Sequence, residues 1–96
     1  MHELIDTMLT DLALFVRVAD AGGFSAAAKV TKIPQATVSR RIALLEERLE
    51  TRLFNRTTRL VVMTKAGQRV YEHAKLMLEQ GEAASAALSE MQAAPS

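Results

Sequence analysis

The chain has 96 residues, 49% of them hydrophobic, and no cysteine, which bounds it to one domain with one modest core and excludes a disulfide framework or a thiolate metal site. The N-terminus has no basic-then-apolar signal segment, and no apolar run nears the ~20 residues that span a bilayer, so a soluble, cytoplasmic protein is expected. The formal net charge of +1 is unevenly spread: residues 1–28 balance to −3, residues 29–65 to +6 and residues 66–96 to −2. A basic middle between acidic flanks suits a surface that meets a polyanion, although a solvated charge run gives the same totals.

The first predicted helix runs from about Met8 to Ala21, with Leu12, Phe15, Val16 and Ala19 on one face. Gly22-Gly23 ends it, because glycine takes the left-handed cap conformation. Ser25 then caps a second, two-turn helix through Ala26-Ala27-Ala28 to about Thr31. Lys32-Ile33-Pro34 is the break: proline pushes Ile33 toward an extended conformation and is tolerated where the next helix begins. A third helix follows over about 35–50, with Val38, Ile42, Leu45 and Leu49 in one narrow sector. Two helices joined by a tight turn form a helix-turn-helix.

Leu60-Val61-Val62-Met63 is β-prone and Thr57-Thr58-Arg59 suits a turn, which predicts a two-stranded hairpin with Arg56 and Arg59 near its tip. Thr64 is a fair N-cap for a last helix reaching about Met91. Its Val70, Ala74, Met77, Gly81, Ala84, Leu88 and Met91 alternate in steps of four and three, the period of a coiled-coil seam. The fold class is therefore mainly α: a winged helix-turn-helix over residues 1–64, a linker and dimerisation helix over 65–92, and a tail over 93–96. Gly81 in mid-helix costs about 1 kcal/mol relative to alanine, which a close helix crossing explains and a hinge explains less well.

DNA chemistry gives each part a task. A major groove admits one α-helix, read by the N-terminal half of that helix. Here that half presents Gln35, Ala36, Thr37, Ser39, Arg40 and Arg41. Glutamine pairs bidentately with adenine, arginine with guanine, and alanine or a threonine methyl meets the thymine methyl. Glu46, Glu47 and Glu50 in the second half would repel phosphate, so the helix's own polarity says which end faces DNA. Ser25 at a helix start, Lys32 and Arg41 are candidates for backbone contacts, and Arg56 and Arg59 for wing contacts to phosphate or the minor groove. Lys32, Arg41, Arg48 and Arg52 serve equally well in surface ion pairs.

Phe24-Ser25-Ala26-Ala27-Ala28, Ile33 through Ile42, Leu45-Glu46, Leu49, Leu53 through Arg59 and Thr64-Lys65-Ala66-Gly67 together resemble the N-terminal domain of LysR-type transcriptional regulators. The resemblance covers about residues 9–91. It implies a winged helix-turn-helix that reads partly palindromic promoter DNA through its third helix and pairs with itself through the linker helix. It implies base contacts from Gln35, Ala36, Ser39 and Arg40, wing contacts from Arg56 and Arg59, and in the full-length family a C-terminal effector-binding domain, which the residues to Ser96 do not include. Thr31 stands where the family usually has leucine, so either the packing beneath the turn is looser or its hydroxyl needs a partner; Leu60 and Val62 stand where the wing is usually polar or basic. No cofactor is expected. His2 and His73 are isolated, so no metal site is expected, and no triad or phosphate-cradling glycine loop suggests an enzyme. A different reading is a coiled-coil interaction chain that pairs with other regulators through its last helix and leaves the basic face unused.

Overall fold

A computed structural model describes residues 2–56 and 61–93, with residues 2–6 by their backbone only. The elements are α1 (His2–Ala21), α2 (Phe24–Thr31), α3 (Gln35–Leu49), β1 (Phe54–Arg56), β2 (Val61–Met63) and α4 (Lys65–Ala93). α1 therefore begins six residues before the expected Met8, because the periodic apolar face marks only the part that packs.

That face is also placed differently. Leu14, Phe15, Val16 and Val18 are buried, while Leu12 and Ala19 lie at its edge. The helix ends as expected on Gly22, at φ +89°, with its N–H on the Val18 carbonyl at 3.0 Å.

Ser25 is not the cap of α2. The helix starts two residues earlier than that cap implies, at Phe24, with Gly23 extended at its N-cap and no side-chain cap bond. The first helical bond runs from Ala27 N–H to Gly23 carbonyl at 3.1 Å. Phe24 is drawn into the helix by packing edge-on against Phe54, centroids 5.9 Å apart. Thr31 resolves its own polarity: its hydroxyl donates to Ala27 carbonyl at 2.8 Å and accepts from Ile33 N–H at 3.3 Å. Lys32 closes α2 in the left-handed conformation, φ 61°.

Pro34, at φ −55° and ψ 138°, is the N-cap of α3, and its carbonyl accepts from Thr37 and Val38 N–H at 2.9 and 3.0 Å. A proline loses nothing there, since a helix's first amides have no intrahelical acceptor. α3 stops at Leu49 with Glu50 left-handed, φ 53°, a residue short of expectation.

β1 and β2 pair antiparallel in the register Phe54↔Met63, Asn55↔Val62, Arg56↔Val61. A hairpin this short needs support from the helices. It has it through Phe54, whose ring lies 5.1 Å from Phe15 at the centre of the core with Ile42, Leu45, Leu53 and Val38. Thr57-Thr58-Arg59, expected to turn, and Leu60, expected to open the second strand, lie outside the described residues. No described helix is long and apolar enough to cross a membrane.

α4 is held at its start by one residue with two bonds. Thr64 Oγ1 accepts from Gly67 N–H at 2.9 Å, the N-cap expected of it, and donates to Arg52 carbonyl at 2.7 Å. Gly67 must be glycine: a Cβ there would stand 2.1 Å from the Leu53 carbonyl oxygen. Further along, Ala74 is buried against the body, Tyr71 packs edge-on to Phe15 at 6.5 Å, and Asp20 of α1 receives both the Tyr71 hydroxyl and the Lys75 ammonium, the latter at 2.8 Å.

Candidate nucleic-acid interface

α3 buries Val38, Ile42, Leu45 and Glu46. Helical geometry then turns Ala36, Arg40, Ala43 and Glu47 outward, with Ser39 flanking that line on one side and Gln35 exposed as the first residue of the helix, in angular line with Ile42. Gln35, Ala36, Ser39 and Arg40 are all exposed, and Thr37 is half-buried at the shoulder. Among the described residues, no hydrogen bond or ion pair occupies Arg40. The outward face is basic and polar over the first half of the helix and acidic at Glu47 and Glu50, the polarity expected.

Glu46 departs from expectation. Rather than facing phosphate, its carboxylate is 6% exposed and carries three bonds. Oε2 accepts from Leu53 N–H at 2.8 Å and Phe54 N–H at 3.2 Å; Oε1 accepts from Arg56 Nη2 at 2.8 Å. The reason is positional: Glu46 follows Ile42 by four residues, inside the apolar sector, where a charge must be paired and bonded to be kept. A glutamate in an apolar stripe is the sequence signal that identifies it.

Asp11 repeats the pattern on α1. It sits in the stripe Asp11-Leu14-Phe15-Val18, is buried, and binds Arg41 Nε at 2.9 Å with Arg48 Nη1 at 3.5 Å. Arg41 and Arg48 are thus tied to the body, on the shoulder of α3 away from Glu46. Arg56, the last residue of β1 and so at the tip end of the hairpin, is bonded to Glu46 and lies over the Phe24 ring, 5.4 Å from its centroid. Ser25 and Lys32 are exposed, on the first turn of α2 and in the turn before α3. Arg59 and Leu60 lie outside the described residues, and Val62 is exposed.

Of the seam positions, Val70, Ala74 and Met77 line an apolar groove with Leu9, Leu12 and Leu49, while Gly81, Ala84, Leu88 and Met91 are open to solvent. The Asp20 carboxyl is held below its ordinary range, first by the hydrogen bond from Lys75 and then by that from Tyr71. Lys75 and Tyr71 are each pushed up by the same carboxylate. This cluster staples α4 to α1 and stands apart from the exposed face of α3.

Residues 9–68 match the family model described as bacterial regulatory helix-turn-helix protein, lysR family. A transcriptional regulator of Xanthomonas campestris pv. campestris (strain 8004) is 39% identical over 94 residues, 98% of this chain and 26% of its own. The regulator DmlR of Escherichia coli K12 is 46% identical over 72 residues, 75% of this chain and 24% of its own. The chain thus spans about a quarter of the length of these curated relatives. Among solved structures, the BenM DNA-binding domain in complex with catB site 1 DNA superposes with TM-score 0.81 at 30% identity, covering 91% of this chain and 98% of that one. The full-length Vibrio cholerae virulence activator AphB superposes with TM-score 0.78 at 39% identity, over 83% of this chain and 28% of AphB. With the family model covering the helix-turn-helix, the wing and the Thr64-to-Gly67 joint, this chain belongs to the lysR family of bacterial regulatory helix-turn-helix proteins.

Proposed function

We propose that this chain is the DNA-reading part of a LysR-type bacterial transcriptional regulator, binding duplex DNA sequence-specifically as a homodimer in the cytoplasm. The observation that carries the reading is the outward face of α3: Gln35, Ala36, Ser39 and Arg40 are exposed where the surrounding Arg41, Arg48 and Arg56 are engaged in ion pairs. Side chains left unengaged at the N-terminal half of a helix beside a two-stranded wing are suited to base edges in a major groove. Thr37 adds a methyl from the shoulder, Ser25 and Lys32 serve phosphates, and Arg56 and Arg59 serve the wing's side of the site. Arg41 meets phosphate only with the guanidinium nitrogens that Asp11 leaves open.

The chain divides at Thr64 into a reading head and a linker helix whose tail follows Gln92. The seam is symmetric about Gly81: Ala74 and Leu88 stand seven residues to either side of it. Two antiparallel copies crossing at Gly81 would bring each exposed Leu88 toward the apolar groove that Leu9, Leu12, Leu49 and Met77 line on the other copy. The resulting two-fold sends two α3 helices to successive grooves on one face of the duplex.

Selection of bound sequences from random duplexes tests the reading. It should return a partly palindromic site, and Arg40→Ala should then cost about 1–3 kcal/mol at one base position and relax choice there. Uniform weakening across all sequences would make Arg40 a phosphate contact. No retardation of duplex DNA at low salt, where phosphate attraction is strongest, would favour the interaction-only chain.

A further inference from the structure

Glu46 divides its two oxygens between different tasks. Oε2 takes both amides at the root of the wing, Leu53 and Phe54, while Oε1 takes only Arg56. Arg56 is gripped from a second side by the Phe24 ring at 5.4 Å, a contact that favours a guanidinium lying flat on the aromatic face. Held this way, the side chain still keeps 31% of its surface open. It lines one groove with Ala43, which faces outward on α3 one turn beyond Ser39 and Arg40, and with Glu47, Glu50, Thr51 and Arg52. An arginine carries five N–H donors in a rigid fork, so the one bond to Oε1 leaves donors for a further acceptor.

We propose that Glu46 is a positioning residue for the wing: it holds the Arg56 guanidinium beside the outward face of α3, so that its remaining donors meet a DNA phosphate without first being ordered. The inference rests on the DNA-binding reading above. Its chemical logic is that of a carboxylate–arginine–phosphate relay, in which the fork's geometry is set before the anion arrives and less side-chain freedom is lost on binding. A plain stabilising ion pair would make the opposite prediction for affinity. Glu46 is a negative charge next to a polyanion site, so removing it should tighten DNA binding if it does nothing but hold the fold.

The variant Glu46→Gln separates the two, because a single amide oxygen can still receive the Leu53 and Phe54 N–H groups while the grip on Arg56 is lost. A mixed-sequence duplex titrated over a range of salt is the probe. The expected result is binding about tenfold weaker at low salt, with the slope of log affinity against log salt reduced by about 0.9, one phosphate's worth. Equal or tighter binding with an unchanged slope overturns the proposal. Arg56→Lys keeps the charge and removes the fork, and decides the matter should Glu46→Gln fail to fold. It should show the same loss, and the double variant should lose no more than either single one. Wild-type affinity and slope in Arg56→Lys, or fully additive losses, overturn the proposal. Failure of the unaltered chain to bind the duplex at all would remove the DNA-binding reading itself, and the role of Glu46 with it.

Discussion

From Lys65 to Leu78, α4 lies against the body of the molecule: Gly67 abuts Leu53, Ala74 is buried, and Tyr71 and Lys75 reach Asp20. From Glu79 to Ala93 every residue is exposed. Yet one apolar spacing runs unbroken through both halves. The spacing states that a helix has a sticky face and leaves open whose surface that face meets. In the first half the answer is the chain's own α1 and the end of α3; in the second it is a surface outside this chain, which we propose is a second copy.

The sharpest way to break this comparison is to substitute its two glycines. Gly67→Ala drives a methyl into the Leu53 carbonyl and should cost about 3 kcal/mol or more, read as a loss of the midpoint in chemical unfolding. A variant as stable as the parent would mean that the joint between wing and α4 yields easily. Next in size is Leu88→Glu. The side chain is 57% exposed, so the monomer's fold should not notice the change, while the dimer should dissociate in sedimentation. A dimer that survives would move the partner surface away from the free half.

Gly81→Ala sharpens the contrast further. A Cβ at Gly81 meets nothing within the chain, so helix propensity alone should stabilise the dilute, monomeric protein by about 1 kcal/mol. Two helices crossing at Gly81 would be forced apart, so the same variant should dimerise more weakly. Improvement in both measurements would exclude a crossing at that residue.

The smallest effect concerns the staple. Asp20 titrates below its ordinary 3.8 in the folded chain, so its contribution is present above that pH and is lost as pH falls through the lowered value. Tyr71 and Lys75 are raised, so theirs is present below about pH 10 and is lost as pH rises through their folded values. Thermal melts should therefore be flat near neutrality, with an acid-side decline in the parent that is weaker in Asp20→Asn. An identical acid limb in both would remove Asp20 from the attachment of α4.

The sequence carried the helix order, the proline-led start of α3, the glycine stop after α1 and the Thr64 cap because each is a local matter of backbone geometry. It also carried the outward face of α3, since the apolar sector fixes its opposite. What it did not convey depends on contacts across long separations. Asp11 enters the sequence reading only as a charge and Glu46 only as a repeller of phosphate, although their places inside apolar stripes mark them as buried; only the fold shows that their partners are Arg41 and Arg48 in one case and Arg56 with two wing amides in the other. Ser25 has the residue type that prefers a cap, but with Phe24 packed on Phe54 the cap lies two residues earlier, at Gly23. A propensity of about 1 kcal/mol yields readily to the burial of an aromatic ring.

Leu53 joins three parts of the molecule through one residue's backbone. Its N–H goes to Glu46 of α3, and its carbonyl accepts from Thr64 N–H at 3.0 Å and sits beneath Gly67 of α4. Mechanically, α4 is a lever about 40 Å long with its fulcrum at that carbonyl. A force on the free end of the lever meets α1 at Asp20 and the end of α3 at Leu49, and at the base of the helix it bears on the root of the wing. Through the Leu53 carbonyl, a swing of α4 would bear on the same backbone that Glu46 holds beside Arg56, and so on the strength of grip on DNA as well as on the reading helix.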